Sequence, residues 1–113
     1  MRLYNQPMGI DDKTINEIVR RVIGVVSAER IILFGSAATG QMTGDSDIDL
    51  LILASSLSNR REDWVRVQQA LRGMGCPFDI IIMTRERFEE TKDVIGGIAY
   101  PANKQGRVIY EAA

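Results

Sequence analysis

Asp47-Ile48-Asp49-Leu50-Leu51-Ile52-Leu53 is the stretch on which the reading of this chain turns. It reads as a strand, Asp47 to Leu53, apolar from Leu50 onward and carrying two acids at its start. Side chains alternate across a strand, so Asp47 and Asp49 share one face while Ile48, Leu50 and Ile52 take the other. Alternate Cα atoms lie roughly 6.6–7 Å apart. Two carboxylates at that spacing on a rigid strand can converge on one divalent ion. The pattern by itself also fits polar residues at the frayed start of a strand.

Working outward, Arg30 to Phe34 is a β-rich run closed by Gly35, Phe78 to Met83 follows Pro77, and Arg107 to Tyr110 follows Gly106. Helical spacing occupies the intervals. A first helix is predicted from Asp12 to Ala28, capped by Asp11 or Asp12, with Ile15, Ile18, Val19, Val22, Val25 and Val26 on one side and weakened slightly by Gly24. Ser58 or Asn59 caps a second, with Trp64, Val67, Leu71 and Met74 on one face and Gly73 and Gly75 at its end. Thr84 caps a third, Arg85 to about Lys92, and the chain turns near Gly96-Gly97. Alternating strands and helices predict an α/β fold, a small sheet flanked by helices. The twelve residues between Phe34 and Asp47 can hold a crossover or a return, so strand directions stay open and a mixed sheet is admitted.

Composition narrows the chemistry. At 113 residues the chain is expected to be a single domain, 1–113, burying roughly two thirds of its unfolded surface. Fourteen Lys and Arg against fifteen Asp and Glu leave no global field for nucleic acid or an anionic membrane. There is no histidine, which removes the Ser-His-Asp triad, a histidine base and histidine-containing zinc sites. Cys76 is alone, so neither an internal disulfide nor a thiolate zinc site can form, and a reducing, cytoplasmic location is expected. Met1 to Pro7 lacks the apolar core of a signal peptide, and the five-residue run Leu50 to Ala54 is far below the ~20 needed to span a bilayer.

Gly35-Ser36 directly follows the first strand, and Gly40 and Gly44 come later. Glycine lets backbone approach a ligand closely, and amides at such a bend can nest an anion, with the Ser36 hydroxyl as a further donor. The same pair could be only a turn with Ser36 as N-cap. From Ile31 to Asn59 there is no Lys or Arg, yet Asp45, Asp47 and Asp49 lie there. Like charges repel by about 1 kcal/mol at 4 Å even in water, so this loop either binds no phosphate or does so through Mg²⁺. Asp79 stands in the run Phe78 to Met83, where every other residue is apolar. It is either a solvent-facing strand start or, if its strand neighbours the second, a third carboxylate beside the Asp pair. Three carboxylates could hold two cations roughly 3.5–4 Å apart, as in in-line phosphoryl transfer.

Gly35-Ser36, ten residues, then Asp47-Ile48-Asp49-Leu50 and the later Asp79 resemble the signature of the DNA polymerase β-like nucleotidyltransferase superfamily. The small size and the ending Gly106-Arg107-Val108-Ile109-Tyr110-Glu111 resemble its minimal nucleotidyltransferase (MNT) branch. The resemblance implies a polymerase β-like fold and a nucleoside triphosphate held by Gly35 and Ser36 at its phosphates. Asp47, Asp49 and Asp79 would be the catalytic carboxylates and ligands of two Mg²⁺ ions, with Asp79 helping to deprotonate the attacking hydroxyl. It further implies transfer of a nucleoside monophosphate, AMP from ATP, to a hydroxyl of a partner protein. That partner would be a HEPN-type toxin and this chain its antitoxin. Two other readings stand beside it: an inactive antitoxin that works by occlusion, and a small-molecule nucleotidyltransferase. No membrane and no direct nucleic-acid partner is expected, and a homo- or hetero-oligomer is left open.

One departure matters. Family members often carry a basic residue soon after Gly-Ser, where this chain has Ala37-Ala38-Thr39, so triphosphate binding would weaken or the cationic role would pass to Arg60, Arg61, Lys104 or Arg107. Trp64 reads as core or a subunit contact, Arg60-Arg61 as the first turn of a helix, and Tyr100 and Tyr110 as apolar packing.

Overall fold

The computed structural model describes residues 10–40 and 47–112. Gly44 and Asp45 lie outside the described residues. Helix α1 (Asp12–Ile23) starts where the Asp11 carboxylate accepts the Thr14 N–H at 2.8 Å. Its apolar positions bury Ile15, Ile18 and Val22. It stops at Ile23 rather than Ala28. Gly24 takes the C-cap, and the amides of Val25 and Val26 both return to the Val22 carbonyl. Glycine is a poor helix former, and beyond it the chain must turn at once into strand β1 (Arg30–Phe34).

After β1 a four-residue helix, α2 (Ser36–Thr39), fills part of the interval read above as a turn. Strand β2 (Ile48–Ala54) begins one residue later than expected, leaving Asp47 just ahead of it. Asn59 caps helix α3 (Arg60–Ala70), accepting the Glu62 N–H, and α3 leads to strand β3 (Phe78–Thr84). The Thr84 hydroxyl accepts the Arg87 N–H and opens helix α4 (Arg85–Thr91). Helix α5 (Ala99–Gln105) then precedes strand β4 (Arg107–Glu111). The pattern did not announce α5. Gly96-Gly97 reads as a turn, and Pro101 falls in the first turn of α5, where proline is tolerated because its missing N–H would have no partner anyway.

The four strands lie in the order β3-β2-β1-β4. β1 runs antiparallel to both β2 and β4, while β2 and β3 are parallel and joined through α3. The segment between β1 and β2 is therefore a return, and the sheet is mixed. Even-numbered residues of β2 and β3 (Ile48, Leu50, Ile52, Ile80, Ile82) pack with Ile18 and Val22 of α1 and Val67 of α3. Odd-numbered ones (Leu51, Leu53, Met83) pack with Ile32, Phe88 of α4, and Ala99 and Ala102 of α5. Helices cover both faces, which explains why β2 is buried on both sides from Leu50 onward.

Arg21 ties two helices on the first face. Its Nη1 donates to the carbonyls of Ala70 (3.1 Å), the last residue of α3, and Arg72 (2.8 Å), just past its C-cap, while its Nε pairs with Glu17. Cations suit carbonyls at a helix C-terminus. Arg21→Ala is expected to lower unfolding free energy by about 1–2 kcal/mol in urea titration. Arg20→Ala, which loses only a surface pair with Glu17, should cost well under half of that. No helix of the described residues is long and apolar enough to cross a membrane.

Candidate active site

The register of the parallel pair decides how the acidic residues meet. Asp49 of β2 lies directly beside Asp79 of β3, and on its other side Asp49 pairs with Phe34, the last residue of β1. Residues in register share a face, so Asp49 and Asp79 stand on the α4–α5 side of the sheet. They occupy the end where β1 finishes and β2 and β3 begin. Neighbouring strands are about 4.8 Å apart, which brings the two carboxyl groups within mutual reach. Asp47 sits two residues upstream, exposed.

Gly35 completes the corner. It has φ 69° and ψ −150°, a conformation that L side chains rarely adopt. A Cβ built on it would fall 2.1 Å from Asp49 Oδ2, so the carboxylate rests where a side chain would be. The turn then closes into α2: the amides of Ala38 and Thr39, and the Thr39 hydroxyl, donate to the Gly35 carbonyl. Ser36 is the first residue of that helix, with Gly35 as its cap, not the N-cap itself. As at any helix start, the Ser36 and Ala37 amides have no intrahelical acceptor.

Asp49 is half-buried and Asp79 exposed. Burial holds the Asp49 carboxyl above the usual carboxylate range, and the negative charges of Asp79 and Asp47 push it the same way. Among the described residues, no Lys or Arg forms an ion pair with Asp47, Asp49 or Asp79. Nor do three His, Cys, Asp or Glu side chains close as a group around one point. The geometry therefore offers a carboxylate pair in register with a third acid upstream, not a finished cage. Magnesium needs no such cage: it is commonly held by one or two carboxylates and completes its shell with water and substrate phosphates. Hard oxygen donors, crowded like charges and a half-buried carboxylate with no cation beside it are a donor set that fits a divalent ion.

The four candidate cations are placed unequally. Arg60 and Arg61 begin α3, which follows the far end of β2, so they lie away from the carboxylate corner. Arg107 pairs in register with Leu33 at the corner's end of the sheet, but on the α1–α3 face, 3.7 Å from Asp12. Lys104, near the end of α5, is on the α4–α5 face and lies 3.7 Å from Asp93. Cys76 is a half-buried thiol pushed up by burial, an inert group by chemistry. Trp64 departs from the core reading: it is 40% exposed, and its indole Nε1 donates to the Ile80 carbonyl at 3.0 Å. Tyr110 does pack against the core. The close seating of Asp49 on Gly35 had no one-dimensional signal beyond the glycine itself.

A family model described as a nucleotidyltransferase domain matches residues 12–100. Among curated proteins none matches significantly. Three solved structures share the architecture. The crystal structure of a toxin-antitoxin with AMP-PNP aligns at 19% identity, covering 87% of this chain and 73% of that one, with a TM-score of 0.63. The tri-AMPylated Shewanella oneidensis HEPN toxin in complex with MNT antitoxin aligns at 18%, covering 91% and 74%, with a TM-score of 0.60. A candidate nucleotidyltransferase from Sulfolobus solfataricus aligns at 22%, covering 88% and 78%, with a TM-score of 0.59. At such identities the likeness speaks for the fold.

Proposed function

The chain belongs to the nucleotidyltransferase domain family, and from that premise we propose that it transfers a nucleoside monophosphate, AMP from ATP, to a hydroxyl of a partner protein, as the antitoxin of a HEPN-type toxin. The observation that carries the reading is the in-register pairing of Asp49 with Asp79, seated against the Gly35 bend. Toxin–antitoxin complexes with AMP-PNP and with an AMPylated HEPN toxin share the architecture and support the choice of nucleotide and partner.

Asp47, Asp49 and Asp79 would hold magnesium, which when bound neutralises the triphosphate and orients its α-phosphate. The Ser36 and Ala37 amides and the Ser36 hydroxyl would take phosphate oxygens. Asp79, the more open carboxylate of the pair, is placed at the sheet edge, where an acceptor on another protein can approach. It would take the proton of the acceptor hydroxyl as that oxygen bonds to the α-phosphorus. The bond from the α-phosphorus to the bridging oxygen then breaks and pyrophosphate leaves. Catalysis of this kind is positioning and charge stabilisation rather than covalent work by the protein.

The test is transfer of α-labelled ATP to a co-purified partner. Label should appear on the partner with wild type and fall at least about a hundredfold with Asp79→Asn. Equal labelling by the variant would refute the reading. The run Ala37-Ala38-Thr39, in a stretch from Ile31 to Asn59 without Lys or Arg, favours one second reading, an antitoxin acting by occlusion. That reading predicts neutralisation of the toxin with no label transferred at all.

A further inference from the structure

We infer that the outer edge of β3, between the first turn of α3 and the turn leading into α5, is a docking groove for an extended acidic segment of a partner protein. A groove of about 380 Å³ runs there, walled by Ile81, Met83 and Ile98 and rimmed by Arg60 and Arg87. Two clefts continue it. One shares Arg60 and holds Arg61 and Trp64, and the other shares Arg87 and Ile98 and reaches Val94. Among the described residues, no carboxylate lines any of the three.

The charge is unspent. Among the described residues, Arg60, Arg61 and Arg87 form no ion pair, whereas Arg20, Arg21, Arg30, Arg66, Arg85 and Arg107 each have an acidic partner. Three free guanidinium groups around an apolar trough complement carboxylates spaced along an apolar strand. The trough is open to a partner: Trp64 is 40%, Ile98 60% and nearby Ile95 81% exposed.

The backbone supplies the third component. β3 is an edge strand. The Ile80 carbonyl points outward, since Trp64 Nε1 donates to it. Alternation then turns the Ile82 N–H and C=O outward as well, where an added strand can pair. Edge pairing and apolar walls select an extended peptide over a phosphate backbone, for which three arginines on a chain of net charge −1 give little hold. Met83 lies four residues along β3 from Asp79 on the same face, about 13 Å away. A segment docked here would bring its parent protein up to the carboxylate corner. The inference adds to the transferase reading without depending on it, because docking needs neither nucleotide nor magnesium.

Trp64, the chain's single tryptophan, is a built-in probe at the groove's end. The full chain is titrated, without nucleotide or magnesium, with a synthetic peptide of alternating Glu and Val, its Lys-for-Glu counterpart, and a single-stranded oligonucleotide. The acidic peptide should shift Trp64 emission saturably and weaken with salt. Arg60→Glu with Arg87→Glu should lower its affinity at least about tenfold, and Ile98→Glu, a surface change that leaves folding intact, should weaken it too. The inference is overturned if the acidic peptide fails to bind, or if the Lys peptide binds as well. It is equally overturned if the oligonucleotide displaces the peptide at lower concentration, or if the charge reversals change nothing.

Discussion

Asp49→Asn is expected to raise the melting temperature of the nucleotide-free protein at neutral pH while abolishing nucleotidyl transfer. The Asp49 carboxylate is half-buried beside Asp79 and near Asp47, so its charge is held against both desolvation and like-charge repulsion. Its proton affinity is higher folded than unfolded, where the ordinary value of 3.8 applies. A charge under that strain costs stability at pH values above the folded pKa. The cost fades as pH falls and the carboxyl protonates. The Asn variant, neutral throughout, should therefore melt a few degrees higher at pH 7. Its advantage should vanish in scans carried below about pH 4. Transfer should drop on the order of 10²–10³-fold or more, because the amide cannot hold the cation that the triphosphate needs. A variant that loses both activity and stability would mean that Asp49 serves the fold. Stability gained at a functional carboxylate's expense is the signature of a site built for a ligand.

Gly35→Ala should be the most damaging small substitution near the site. Two costs combine. The φ of 69° with ψ −150° lies where only glycine is comfortable, a penalty of about 1–3 kcal/mol. The added methyl would also meet Asp49 Oδ2 at 2.1 Å and Cγ at 3.1 Å, so the carboxylate must leave its seat. Urea titration should show a loss of about 2–3 kcal/mol, and transfer should fail even where the variant is folded. Gly40→Ala separates the two costs. Gly40 also has positive φ, 76°, but caps α2 in the ordinary left-handed region. It should lose about 1 kcal/mol and keep Asp49 in place. Equal effects of the two substitutions on transfer would show that the Gly35–Asp49 contact is incidental.

The strands were legible because each is a short apolar run bounded by a glycine, proline or acid. The N-caps of α1, α3 and α4 were each read correctly or as one of two neighbours, since Asp11, Asn59 and Thr84 are chemically suited to the role. Helix ends and strand directions were less visible. Val25 and Val26 keep helical spacing past Gly24, yet the chain must turn there to enter the sheet, and only the tertiary fold decides that. Parallel and antiparallel pairings leave the same alternation in sequence, so the return between β1 and β2 could not be told from a crossover. For the site, the spacing of Asp47 and Asp49 was written in the strand period. The approach of Asp79 depended on β3 lying beside β2, a fact of topology. The arginines named as substitutes for the missing cation were candidates by charge alone. Chain direction puts Arg60 and Arg61 at the opposite end of β2 from Asp49.

Calorimetric titration of ATP into the purified chain, with and without magnesium, addresses the carboxylate corner most directly. Saturable binding is expected with magnesium. It should be lost when the metal is chelated, and lost again in Asp49→Asn even though that variant is the more heat-stable protein. Binding of equal strength without magnesium, or undiminished in Asp49→Asn, would contradict the account.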